Sequence, residues 1–248
     1  MPRHQRLKFE QPVCVFCAGE RLTTSVEHMP SRILFNGKMR PKGLEFGSCQ
    51  ECQDSTRREE QVVAMISRFY PDPKTIAERK EIKSLFRSVA HNFPGLLPEM
   101  HIDQLPVLRN IGEDAKRLPN WDFLDISAPR VRGAVQKFAA KLAIALHFEL
   151  TKQIVPRGAA IFVQHYTNFV AIIEGMPVEL IEALGEEKML SMGSNHSAET
   201  FSYQSVILAD EPTTIHMAYF RQSFALLLVV YPRFSDVPAH AISHIVVH

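Results

Sequence analysis

A chain of 248 residues with 46% hydrophobic content is long enough to bury a core without staples, so its four cysteines need another reason. A formal charge of +1 excludes a global polyanion-binding surface and confines any nucleic-acid contact to a local patch. The amino end lacks a basic, apolar leader, and the longest apolar run, "FALLLVV" at Phe224 to Val230, is too short to span a bilayer; we expect a soluble, cytoplasmic protein with no membrane partner.

The amino-terminal stretch is punctuated by Gly19, Pro30, Gly37, Pro41, Gly43 and Gly47, which leaves room only for short segments. It is locally basic. Met1 to Gly43 carries eight Lys or Arg, among them Arg32, Lys38, Arg40 and Lys42, against the acids Glu10, Glu20 and Glu27. After Asp54 the pattern changes: Val62, Val63, Met65, Ile66 and Phe69 recur at helical spacing until "YPDP" at Tyr70 to Pro73 ends the run. Glu59 and Glu60, beside Arg57 and Arg58, favour a solvated charged face over an extension of a metal shell. A second helix is expected over Thr75 to Ala90. Asn92 to Pro129, rich in proline and holding the single tryptophan Trp121, reads as a crossing connection with short elements.

Arg132 to Gln153 sets Val135, Phe138, Leu142, Ala145 and Leu146 on or near one face, with further apolar positions around it, which predicts a mostly buried helix. "EGMPVELIEALGEEK" reads as a helix begun by Pro177 and ended near Gly185. "AAIFVQHY", "TFSYQSVILA" and "TIHMAYFRQSFALLLVVYP" are rich in β-branched and aromatic residues between turn signals, which predicts strands. His147 in the buried helix, and His165, His216, His240, His244 and His248 in strand-like segments, are expected as hydrogen-bonded packing residues rather than ligands.

Cys14 and Cys17 form one Cys-x-x-Cys pair and Cys49 and Cys52 a second, which uses every cysteine in the chain. In a reducing compartment such pairs favour metal over crosslinks, and two knuckles of converging thiolates complete a tetrahedral four-sulfur zinc shell. Between the pairs lies Glu27-His28. Thiolates saturate a structural zinc, so this dipeptide is free for other chemistry.

The order Cys-x-x-Cys, then acid-His with a proline two residues on ("TSVEHMPSRILF", Thr24 to Phe35), then Cys-x-x-Cys leading into a helix, resembles the zinc-containing bacterial and phage branch of the HNH endonucleases. The resemblance spans about Pro12 to Phe69. It implies an α+β protein: a small zinc-bound ββα-metal module over residues 1–72, followed by a larger α+β domain of unassigned role over 73–248. It further implies His28 as general base, Glu27 as a ligand of catalytic Mg2+ or Mn2+ with Gln53 or Asp54 completing that site, and DNA phosphates near Arg32, Lys38, Arg40 and Lys42. Two positions depart from the family pattern. Gln53 stands where the family carries Asn or His, and "KGLEFGS" offers no Asn to orient His28, which leaves that role to a backbone carbonyl. Two readings follow: a metal-dependent endonuclease hydrolysing DNA phosphodiester bonds, or a catalytically degenerate zinc module that binds nucleic acid or a protein partner.

Overall fold

Glycine and proline break the amino-terminal third into short pieces, and longer runs of regular structure begin only beyond them. The computed structural model describes residues 3–69, 73–100, 128–167, 182–208, 212–238 and 245–247. Helix α1 (Arg3–Glu10) carries an Arg6–Glu10 pair one turn apart and was not expected from the sequence. Strands β1 (Ser25–His28) and β2 (Glu45–Ser48) pair antiparallel, with Glu27 opposite Phe46 and His28 opposite Glu45. Gly47 lies where α1 runs out beneath β2. Its N–H donates to Gln11 Oε1 at 2.6 Å, and a Cβ there would stand 2.9 Å from the Gln11 carbonyl oxygen, so only glycine fits.

Short helix α2 (Gln50–Asp54) carries Cys52 of the last cysteine pair, and the helical run expected after Asp54 is α3 (Glu59–Ile66). Helix α4 (Ile76–Asn92) starts one residue inside the expected range because Thr75 and Glu78 form a reciprocal capping box. Helix α5 (Leu96–Met100) follows. Helix α6 (Pro129–Thr151) begins on Pro129, whose missing N–H costs nothing there, and ends at Lys152 in the left-handed region (φ 58°).

The carboxy-terminal part is a six-stranded sheet. Its strands are β3 (Ala160–Thr167), β4 (Lys188–Met189), β7 (Phe201–Ile207), β8 (Thr214–Phe220), β9 (Phe224–Tyr231) and β10 (Ile245–Val246), ordered β10-β3-β9-β8-β7-β4 and antiparallel throughout; β5 (Ser191–Met192) and β6 (Asn195–His196) form a separate ribbon. The long predicted strand over Thr214 to Pro232 is two strands, split by a tight turn in which Arg221 takes φ 56°. The chain is thus a mixed α+β protein. Of the connection expected over Asn92 to Pro129, α5 is one short element, while residues 101–127 with Trp121, the start of the helix from Pro177, and His240, His244 and His248 lie outside the described residues. No helix among the described residues is long and apolar enough to cross a membrane.

Helix α6 is the hub. One side packs on α3, and the other on β3, β7, β8 and β9. Phe148 meets Phe46 of β2 edge-on at 6.1 Å, while Phe138 meets Phe220 of β8 at 5.8 Å. Buried side chains from Cys14 through α3 and α6 to Val230 and Val247 accordingly form one continuous core.

At the α6–sheet boundary the core admits a polar chain. Thr214 Oγ1 lies 2.9 Å from both His147 Nδ1 and His216 Nε2, and His216 Nδ1 lies 2.8 Å from Ser205 Oγ. Both imidazoles are the hydrogen-bonded packing residues their surroundings predict. Burial holds His147 down to about 4, and burial together with the charge of His147 holds His216 down to about 3. Because these folded values lie below the ordinary histidine value of ~6.5, the unfolded chain takes up the protons first, and stability falls as pH drops below that value. Each histidine contributes on the order of 2 kcal/mol to the loss by about pH 5. We expect His216→Gln to flatten the decline in urea midpoint between about pH 7 and pH 5; an unchanged slope would remove this cause.

Candidate metal centre

Each cysteine pair folds into a turn that aims its sulfurs inward. Cys14 precedes a 3-10 turn (Val15–Cys17), and its Sγ accepts the Phe16 N–H at 3.4 Å. Ala18 (φ 52°) and Gly19 (φ 76°) then reverse the chain through consecutive left-handed residues, so that Cys14 N–H donates to the Arg21 carbonyl at 2.7 Å. The second knuckle is the start of α2. Cys49 ends β2 and caps the helix, its Sγ accepting the Cys52 N–H at 3.5 Å. The four sulfurs lie within 4.8 Å of one another, and among the described residues they form the one cluster of three or more His, Cys, Asp or Glu groups able to hold a metal.

The electrostatics of the cluster call for a cation. Hydrogen bonding from Cys52 holds Cys14 down to about 4, whereas burial first, and then the neighbouring Cys14, pushes Cys17 up to about 11; Cys52 is driven up by Cys14 and by burial. Four thiolates this close and this buried cannot ionise together unless a metal neutralises them. The donor set fits a metal such as zinc, held by Cys14, Cys17, Cys49 and Cys52.

The other predicted site residues sit around the hairpin that the two knuckles flank. His28 ends β1 with its side chain 34% exposed, and Nδ1 lies 3.9 Å from Glu45 Oε1 across the strand pair. Glu27, its neighbour, points the opposite way, as strand geometry requires. It is buried, and Oε2 faces Lys141 Nζ of α6 at 3.3 Å. That ammonium also donates to the Cys52 carbonyl at 2.7 Å and to Thr56 Oγ1 at 3.0 Å. Glu60 is buried beside them and accepts from Thr56 Oγ1 at 3.0 Å. Burial pushes Glu27 up to about 7 against the pull of Lys141, and burial raises Glu60 as well. Glu60 therefore corrects the expectation of a solvated face: α3 turns it inward with Val63 and Ala64, while Glu59 is largely covered and pairs with the more exposed Lys137 at 2.9 Å.

The residues expected to complete a catalytic Mg2+ or Mn2+ site are not gathered. Gln53 turns its amide to the Val26 carbonyl at 3.4 Å, and Asp54 lies at the surface against Arg57 (2.6 Å) and Gln50 (2.7 Å). Glu27 already faces a cation. The donors present do not fit a second, hard metal ion.

Of the four expected phosphate contacts, Arg32, Lys38 and Lys42 are exposed. Arg40 has a different task. Its guanidinium donates to the carbonyls of Pro30 (2.6 Å), Pro41 (2.9 Å), Met29 (3.0 Å), Gly43 (2.7 Å) and Leu44 (3.4 Å), holding together the loop that joins β1 to β2. Sequence reasoning missed Lys141, Glu60 and Glu45 as site residues; only the register of β1 against β2 could have marked Glu45.

No family model, curated protein or solved structure matches this chain. Functional argument therefore rests on the geometry.

Two outcomes test this description. Cys49→Ser should lose the bound metal, read by elemental analysis against about one equivalent per wild-type chain, and should loosen the amino-terminal segment to hydrogen exchange. Arg40→Met removes charged donors from buried carbonyls and should cost on the order of 3 kcal/mol in urea unfolding, while Arg32→Ala should leave stability within about 0.5 kcal/mol.

Proposed function

We propose that the amino-terminal segment is a zinc-stapled module that docks on nucleic acid without cleaving it. The observation that carries this reading is the commitment of Glu27, the carboxylate expected to hold a catalytic ion, to Lys141 at 3.3 Å. Zn2+ suits the four sulfurs because it is indifferent to redox state and takes tetrahedral thiolate sites. With the hairpin fixed between two knuckles, the β1–β2 loop presents Arg32, Lys38 and Lys42 to solvent. Cations of that kind engage phosphates and position a duplex without selecting sequence.

A second reading, phosphodiester hydrolysis, is favoured by one feature. Glu45 Oε1 stands 3.9 Å from His28 Nδ1, beyond hydrogen-bond length but near enough to become the orienting partner that a general base needs. It would stand in for the Asn absent from "KGLEFGS", with a carboxylate rather than the expected backbone carbonyl.

Duplex DNA binding, measured by anisotropy across a salt series, should weaken steeply with salt. Alanine at Arg32, Lys38 or Lys42 should each reduce the log–log slope by about 0.9. A wild-type slope near zero would remove nucleic acid as the partner. A nicking assay with Mg2+ or Mn2+ separates the two readings. We expect wild type, His28→Ala and Gln53→Asn all to leave supercoiled DNA intact; nicking by wild type that His28→Ala abolishes would replace docking with hydrolysis.

A further inference from the structure

The four groups around Lys141 Nζ have the dimensions of an ammonium site. Its nearest oxygens are the Cys52 carbonyl at 2.7 Å, Thr56 Oγ1 at 3.0 Å and Glu27 Oε2 at 3.3 Å. Two of the ammonium's three N–H donors are taken by the Cys52 carbonyl and Thr56 Oγ1, and Glu27 Oε2 stands at ion-pair distance. Mg2+ needs oxygens at about 2.0–2.1 Å and Ca2+ at about 2.3–2.6 Å, so no divalent ion could replace Nζ without drawing every wall inward. The Phe16 ring, 5.3 Å from Nζ, closes another side with a π face that attracts a cation but cannot ligate a hard metal.

Charge gives a second, independent indication. Lys141 and Glu27 are both almost wholly buried, with side chains 5% and 6% exposed, and Glu60 lies buried alongside. Glu27 Oε2 accepts no hydrogen bond among the described residues, and the charges of Lys141 and Arg57 favour its ionised form while that of Glu60 opposes it. A buried carboxylate stays ionised only beside a cation, and helix α6 brings one from 89 residues beyond Cys52.

We propose that Lys141 is the resident cation of this cage, so that the folded protein takes no divalent ion at Glu27 and the cage becomes a metal site only when the lysine is removed. The inference rests on the same Glu27–Lys141 pair as the docking reading, but the Mn2+ measurement below and the DNA salt series are separate, so either can fail alone.

The test uses the full-length, zinc-loaded chain and Mn2+ alone as probe, read by electron paramagnetic resonance and by the shift in melting temperature. Wild type should show no Mn2+ site that Glu27→Gln abolishes. Lys141→Ala vacates the cage and leaves Glu27, Glu60, Thr56 and the Cys52 carbonyl as hard donors. It should take one Mn2+, melt higher with Mn2+ than without, and lose at least about tenfold in Mn2+ affinity when Glu27→Gln is added. Should Lys141→Ala fail to fold alone, refolding in Mn2+ should restore zinc content and native circular dichroism. A Glu27-dependent Mn2+ site in wild type overturns the proposal, as does a folded Lys141→Ala that ignores Mn2+ or an unfolded one that Mn2+ does not recover.

Discussion

Four buried sulfurs within 4.8 Å of one another are the constraint from which the amino-terminal architecture follows. Such a group repels itself once ionised and carries no crosslink among the described residues, and a shared cation such as zinc could hold its shape. Because Cys49 both ends β2 and caps α2, fixing its sulfur fixes where the strand stops and the helix starts. Cys14 and Cys17 fix the chain just before β1 in the same way. The hairpin is too short to stand alone, since an isolated two-stranded ribbon is marginal in water. Knuckles on both flanks, with Phe46 packed between Phe16 and Phe148, supply what it lacks.

The anchoring does not stop at the metal ligands. Lys141 reaches from α6 to the Cys52 carbonyl, so the peptide that carries the last sulfur is also tied to the helix supporting the sheet. A small module with its own metal is commonly self-sufficient; this one shares its core with the rest of the chain. The polar contacts at that junction are buried and specific, and removing one partner leaves the others unsatisfied at a cost of several kcal/mol. Such contacts select one docking geometry more than they add net stability, because burying the charges has already offset much of the gain.

What the sequence disclosed was local. The cysteine spacing, the helix expected from Thr75, the apolar spacing of α6 and the β-branched runs of β3, β7, β8 and β9 are each written within a few residues, and the chain follows them. The site was half legible for the same reason. Cys14, Cys17, Cys49 and Cys52 are defined by spacing, whereas Lys141 reads in sequence as one more lysine on a helix whose charged positions ordinarily face water. Glu60 was misjudged because the arginines beside it suggested solvent, while the direction in which α3 packs against α6 decided otherwise. Arg40 was taken for a surface cation, yet its carbonyl partners become neighbours only once the loop has folded around it.

That loop lacks regular structure along much of its length and is nevertheless held from several directions. Arg40 grips it from within, and Arg68, at the end of α3, donates to the Ile33 and Phe35 carbonyls at 3.0 and 3.3 Å while pairing with Glu81 of α4 at 2.9 Å. Glu81 in turn accepts the Gly37 N–H at 3.4 Å, and Arg221, from the β8–β9 turn, donates to Asn36 Oδ1 at 2.5 Å. Buried arginines and a distant sheet are an elaborate way to hold a connection whose side chains merely face water. The arrangement makes sense if the backbone must be ordered before anything binds, because immobilising a loop on contact costs about 1–2 kcal/mol per residue in backbone entropy. Arg32, Lys38 and Lys42 therefore sit on a platform whose ordering cost is met during folding.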